Sequence, residues 1–177
     1  HSNKQFDTFK KSKGFNSNLL SGVEEVERHA YFFTDNIDFS KKYGKIKYET
    51  FLKVTNPFNF KEHYYYKNDY PQYSDTFDEF IEYVENNGID LNYNNVTKSL
   101  NITPDYNWMF LDGNLGELFV TYLKSKNYDG VIFTEFTKEE YEKYSDEYLS
   151  IAVFNANQIK STNNDGSWDI NDDNIFS

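Results

Sequence analysis

The chain has 177 residues with 18 Lys and Arg against 29 Asp and Glu, a formal charge of -11, and no cysteine. That length fits one domain whose folding buries about 70% of the extended chain's surface. The absent thiols exclude disulfides, cysteine nucleophiles and thiolate metal sites, and fit a reducing interior. The acidic balance repels phosphate backbones and anionic membrane surfaces, so nucleic acid is not an expected partner. The sequence has no apolar run long enough to cross a membrane and no signal-peptide pattern, so membrane insertion is not expected either. With 16 Tyr and 17 Phe, the core has to be built largely from rings, whose bulk favours sheets.

In chain order, residues 6–28 keep no sustained period and are punctuated by Gly14, Ser21 and Gly22. They read as a loop with at most a short helix. The run Lys10-Lys11-Ser12-Lys13 is short enough to be a solvated turn. Residues 30–34 read as an aromatic strand stopped by Thr34-Asp35-Asn36. Residues 37–43 then form a helical turn ending at Gly44, where a left-handed cap is cheap. Tyr43 returns over the strand's end as a stacking surface for a planar ligand, or the same residues are simply strand, turn and core aromatics. Over 46–54, Tyr48, Leu52 and Val54 alternate with Lys47, Glu49 and Lys53 as in a half-buried strand, which Asn56-Pro57 ends.

Residues 63–73 are polar-aromatic and irregular. Thr76 caps a helix with Phe77, Phe80, Ile81 and Val84 on one face, closing at Asn87-Gly88. A loop-rich region with a short helix over 94–100 follows. Leu115, Leu118, Phe119, Tyr122 and Leu123 then mark the clearest amphipathic helix. Asp129-Gly130 turns into a strand over 131–136, Thr137 and Glu140 suit a capping box, and 148–154 is the last strong strand. The expected division is a domain over 1–160 and a polar C-terminal tail or wrapped loop over 161–177.

This mixed order of strands and helices argues α+β rather than a doubly wound parallel sheet, and no Gly-rich phosphate loop follows any strand. His1, His29 and His63 are too scattered for a metal-ligand spacing. No Gly-x-Ser-x-Gly element is present, and Glu24-Glu25 and Glu139-Glu140 read as solvated faces.

Four stretches together carry a resemblance. The first is His1-Ser2-Asn3-Lys4-Gln5-Phe6-Asp7-Thr8-Phe9. The second runs over 31–43, an aromatic strand, a Thr-Asp-Asn turn and a helix ending in Tyr. The third is Leu52-Lys53-Val54-Thr55-Asn56-Pro57-Phe58. The fourth joins Tyr128-Asp129-Gly130-Val131-Ile132 to Val153-Phe154-Asn155-Ala156-Asn157-Gln158-Ile159-Lys160-Ser161, with Asn164, Gly166 and Trp168 behind. In this order the chain resembles the ADP-ribosyltransferase fold of the diphtheria-toxin and poly-ADP-ribose-polymerase group, most closely the transferase modules of phage and mobile-element polyvalent proteins.

The resemblance implies an α+β split β-sandwich with an NAD cleft and peripheral helices. It implies NAD as substrate, His1 on a ribose, the Ser2 backbone on the nicotinamide amide, and Tyr43 and Phe32 on either side of the nicotinamide, with Thr34 beside them. The family's catalytic glutamate falls on Ser150, which carries no charge; Glu147 and Glu135 are the substitute carboxylates. Phe32 stands where relatives have Tyr, and Ser2 where they have Gly. His1 has a second reading, a residue left by a tag, and a chain opening on His rather than Met is read as processed, excised or trimmed. The implied activity is transfer of ADP-ribose to a protein, nucleic-acid or small-molecule acceptor, a host protein among them. The alternative is a catalytically weakened fold serving as a binding, cargo or structural module. Either way the chain is expected to belong to a larger polypeptide or assembly, in the bacterial cytoplasm or phage-associated.

Overall fold

Ring-rich segments alternate with short polar turns along the chain, and the computed structural model shows how they stack; it describes residues 2–15, 25–68, 70–87, 104–133 and 150–177. Ten strands and four α-helices are described. The first two strands, β1 (Lys13–Phe15) and β2 (Glu25–Glu27), pair antiparallel. The loop expected over 6–28 is therefore partly a strand pair: alternation over three residues is too short to register as a period. β3 (Tyr31–Thr34) leads into α1 (Ile37–Ser40) and a 3-10 turn, Lys41–Tyr43. β4 (Thr50–Leu52) is shorter than the strand read over 46–54, although Tyr48, Leu52 and Val54 do face inward and Lys47, Glu49 and Lys53 outward.

Asn56-Pro57 ends one strand and starts another, β5 (Pro57–Asn59), in which proline takes the first position where no ladder N–H is required. The stretch read as irregular is α2 (Phe60–His63) followed by a hairpin, β6 (Tyr64–Lys67) with β7 (Tyr70–Tyr73), turned at Asn68 with φ 52°. α3 (Asp75–Asn86) is capped by Ser74 rather than Thr76, the Ser74 hydroxyl accepting from the Phe77 amide. A 3-10 segment, Pro104–Leu111, precedes α4 (Gly113–Ser125). β8 (Gly130–Phe133), β9 (Ser150–Val153) and β10 (Ile159–Ser161) complete the set. The elements expected over 94–100 and around Thr137 and Glu140 lie outside the described residues.

The organising layer is a four-stranded sheet in the order β3-β9-β8-β5, antiparallel except for the β5–β8 pair. One face of it packs on the helices. Phe58, Val131, Phe133 and Ala152 meet Phe77, Phe80, Ile81 and Val84 of α3 and Phe119, Val120 and Leu123 of α4 in a single cluster. Phe119 is its hub, with ring centroids 4.7 Å from Phe80, 5.4 Å from Phe60 and 5.6 Å from Phe58. The opposite face meets a second, two-stranded sheet, β4 with β10, through Tyr31, Phe33, Val153, Leu52 and Ile159. Helices on one side and a small sheet on the other make an α+β sandwich.

Residues 161–177 pack onto this second layer. Ile175 is fully buried there, and its amide bonds the Asp7 carbonyl. The buried Lys160 ammonium donates to the Asp172 and Asn174 carbonyls at 2.8 and 2.7 Å and to the Ser177 hydroxyl at 2.9 Å. Among the described residues no helix is long and apolar enough to cross a membrane.

Candidate functional site

The turn after β3 is built by short polar side chains. Thr34 Oγ1 accepts from the Asn36 amide, and Asn36 Oδ1 caps α1 by accepting from the Phe39 amide at 2.9 Å. That cap aims α1 so that Phe39 is buried and Tyr43 stands edge-on to it at 5.7 Å with 56% of its surface exposed. Gly44 follows with φ 154° and ψ 175°, an extended, glycine-favouring conformation and not the expected left-handed cap.

The reason is the N-terminal segment. A Cβ on Gly44 would lie 2.4 Å from the Ser2 carbonyl carbon, so the two backbones touch. Ser2 is fixed there by a bridge to Ile46, its amide donating to the Ile46 carbonyl at 2.8 Å and its carbonyl accepting from the Ile46 amide at 2.7 Å. The fold thus sets Ser2 beside Tyr43, two residues 41 positions apart that the sequence marked separately.

The other marked residues meet at the end of the large sheet. Thr34, Ser150 and Phe133 stand in register at the last or first positions of β3, β9 and β8. On the same face, one step back, lie Phe32, Ala152 and Val131. Phe32 and Phe133 belong to the strands on either side of β9 and meet edge-on at 5.1 Å. They close over it where Ala152 and Ser150 leave room. Tyr31 alternates to the opposite face, as the strand period requires.

Behind Phe32 is a group that nothing in the chain's pattern marks. The Arg28 guanidinium lies 4.2 Å from the Phe32 ring centre and 5.4 Å from that of Trp108. It is held by a two-pronged pair to Asp112 at 2.9 and 3.1 Å, with the Asp112 side chain 3% exposed. Next to it, burial and the nearby Lys11 charge lower the pKa of His29.

A hydrogen-bonded knot connects the two sheets. Gln158 Oε1 accepts from the Phe154 and Asn155 amides, and its Nε2 donates to the Lys53 and Asp129 carbonyls. The Asp129 carboxylate accepts from the Thr55 amide and hydroxyl, both at 2.7 Å, and from the Asn56 amide at 2.9 Å. Burial works to raise this carboxyl's pKa, and those hydrogen bonds outweigh it and hold it low. Gly130 belongs to the same knot: a Cβ there would lie 2.8 Å from the Ala152 carbonyl oxygen.

Of the residues marked in the sequence, Ser2, Phe32, Thr34, Tyr43 and Ser150 are therefore placed in two neighbouring groups linked by the β3–α1 turn. His1, Glu135 and Glu147 lie outside the described residues. Among the described residues, no group of three or more His, Asp and Glu could hold a metal ion. A family model described as ADP-ribosyltransferase in polyvalent proteins matches residues 1–168. Comparison with curated proteins and with solved structures gave no match.

Proposed function

The chain belongs to the ADP-ribosyltransferase family of polyvalent proteins, and from that premise we propose that it takes NAD as donor and transfers ADP-ribose to an acceptor. The observation that carries the reading is the backbone contact of Ser2 with Gly44, which brings the N-terminal segment to the residue that follows the exposed Tyr43. In this reading Tyr43 stacks on the nicotinamide, Phe32 walls the opposite side, and His1 and Thr34 bond the sugar portion of the donor. The Ser2 amide is committed to the Ile46 carbonyl, so the nicotinamide amide gains it only by opening that bridge, whereas the Ser2 carbonyl, which accepts from Ile46, keeps a second lone pair to accept with.

Chemically, the bond from nicotinamide nitrogen to ribose C1′ breaks, nicotinamide leaves neutral, and positive charge develops on the ribose. The acceptor's nucleophile then bonds C1′ and gives up its proton. A carboxylate near the ribose accelerates this because the charge it faces exists mainly in the transition state. Glu147 or Glu135 fills that role in our reading, since Ser150 supplies no charge. We place the chain within a larger polypeptide or assembly, with a host protein as one class of acceptor.

Two measurements test this. NAD should raise the melting temperature, and Tyr43→Ala should abolish the rise; an intact chain whose melting ignores NAD overturns the donor assignment. Nicotinamide release, with cell lysate as acceptor source, should be lost in Glu147→Gln or in Glu135→Gln, which identifies the carboxylate. NAD binding without any release would instead make the chain a binding module.

A further inference from the structure

The small sheet continues beyond β10 through a single residue of the C-terminal segment. The Ser161 amide donates to the Ile175 carbonyl at 2.7 Å, and the Ile175 amide donates to the Asp7 carbonyl at 2.8 Å, beside an antiparallel bridge of Thr8 with Asn174. Ile175 thus joins β10 to the N-terminal segment. Its register is set by Lys160. That ammonium is fully buried and spends its three protons on the Asp172 carbonyl, the Asn174 carbonyl and the Ser177 hydroxyl. Bonds within the loop hold these acceptors in place: Asp172 Oδ1 accepts from the Asn174 amide and Asn174 Oδ1 from the Phe176 amide, both at 2.9 Å, and Ser177 Oγ donates to the Asn174 carbonyl. If residues 172–177 only covered the sheet, an apolar side chain of the same length would serve without the desolvation of a charge. What the lysine adds is direction, because hydrogen bonds fix a register that apolar contact leaves free to slide.

The N-terminal segment carries this register to Ser2. Between the two it is held by rings, Phe6 on Tyr48 at 4.2 Å and Phe9 on Phe33 at 5.4 Å, and by the Phe6 amide on Tyr48 Oη at 2.8 Å. Asp7 and Thr8 tie it to the C-terminal segment. We propose, building on the NAD reading above, that Lys160 is a positioning residue for the donor site: by clasping residues 172–177 it anchors the N-terminal segment at Asp7 and Thr8, and so keeps Ser2 against Gly44 and Ile46. The donor gains the Ser2 amide by opening the bridge to Ile46. With Asp7 and Thr8 anchored, that opening is confined to the tip of the segment. Without the clasp the segment loosens as a whole, and the donor has to order it on binding. Being fully buried, Lys160 acts only through the segment it clasps.

The test uses the full chain at a temperature where every variant is folded, so that stability lost elsewhere does not move affinity. Lys160→Met keeps the stem and removes the ammonium. The Ile46 amide, whose acceptor is the Ser2 carbonyl, should then exchange about tenfold faster without ligand, and calorimetric titration should show NAD bound about five- to tenfold more weakly. A substitute tie separates position from packing. The chain has no cysteine, and bridge partners stand about 4.5–5.5 Å apart, within disulfide reach. Thr8→Cys with Asn174→Cys in the Lys160→Met chain therefore rejoins the two segments without the ammonium. Oxidised, this variant should return both readings to within about twofold of wild type, and reduction should undo the rescue. If Lys160→Met does not fold uncrosslinked, Ser177→Ala, which removes one of the three acceptors, takes its place with about a two- to threefold change in both readings. Unchanged Ile46 exchange overturns the clasp. Faster exchange that the crosslink does not reverse also overturns it, since Lys160 would then act on the sheet and not through residues 172–177. Faster, reversible exchange with NAD affinity constant throughout overturns the positioning role and leaves the donor assignment standing. A wild-type chain that binds no NAD removes the donor assignment and the positioning role together.

Discussion

Gln158→Leu isolates the knot between the sheets. Leucine nearly conserves the volume of a side chain that is 6% exposed, so the change is chiefly the loss of four hydrogen bonds. They are not equal. The Phe154 amide is fully buried and has no route to water once Gln158 Oε1 is gone, which costs about 1–3 kcal/mol. The Asn155 amide and the Lys53 and Asp129 carbonyls are only partly buried, so each loses about 0.5–1.5 kcal/mol. The apolar leucine returns about 1 kcal/mol of transfer free energy.

The net destabilisation is about 4 kcal/mol, the middle of a range of about 1.5–6.5 kcal/mol, against about 5–15 kcal/mol for a whole domain. Urea unfolding should show it as a lower midpoint with an unchanged slope, and melting should fall by about 8–15 °C. Gln158→Glu gives a second point. It keeps the acceptor for the two amides, loses both donors and buries a charge, so it should be at least as damaging at neutral pH and partly relieved when acid protonates it. A Gln158→Leu chain within about 1 kcal/mol of wild type would mean that the four bonds are replaceable by water and that the knot does not hold the sheets.

Three further outcomes follow from the geometry. Arg28→Met leaves the nearly buried Asp112 carboxylate unpaired and should cost about 3 kcal/mol in urea unfolding, while Arg28→Met with Asp112→Leu should be milder than Arg28→Met alone. Gly44→Ala drives a Cβ into the Ser2 backbone; amide exchange at Ser2 and Ile46 should accelerate, the chain should lose about 2–3 kcal/mol, and any NAD-dependent rise in melting should shrink. Asp129 has a folded-state pKa below its ordinary 3.8, so it contributes stability above that value that is lost as pH falls through the folded pKa. Asp129→Asn should remove that part of the acid sensitivity, so its stability should fall less steeply than wild type below about pH 4.

The parts legible in the sequence were those where one side chain decides locally. The face of α3 follows from the spacing of Phe77, Phe80, Ile81 and Val84, and that of α4 from Phe119, Tyr122 and Leu123. The stop at Thr34-Asp35-Asn36 follows from side chains that bond nearby amides. The β6–β7 hairpin does not show in the sequence although Asn68 is a turn signal, because Tyr64-Tyr65-Tyr66 before it and Tyr70 and Tyr73 after it keep no period of two. β1, β2 and β10 are three residues each, too short to show a period, and β10 draws its stability from β4, where Ile159 stands opposite Leu52. For the site, Tyr43 and Phe32 could be marked from the chain. Arg28 could not: its place depends on Asp112, 84 residues on, and on Trp108. Gly44 suggested a cap from its type alone, whereas its actual φ answers to Ser2.

The stretches that carry the resemblance divide by what they do in the fold. Thr55, Asn56, Asp129 and Gln158 spend their polar atoms on one another and on nearby backbone, so their chemistry is used up in joining two sheets. A motif of that kind tolerates little change, because each substitution strands buried backbone groups. Thr34 and Ser150 stand opposite each other across β3 and β9 and make none of the knot's hydrogen bonds. Loss of the knot should therefore lower stability whatever the donor, whereas Ser150→Ala, which removes a buried hydroxyl with no partner among the described residues, should leave the chain folded. Comparing Gln158→Leu with Ser150→Ala measures that separation directly, since the first should lower stability by several kcal/mol and the second should raise it.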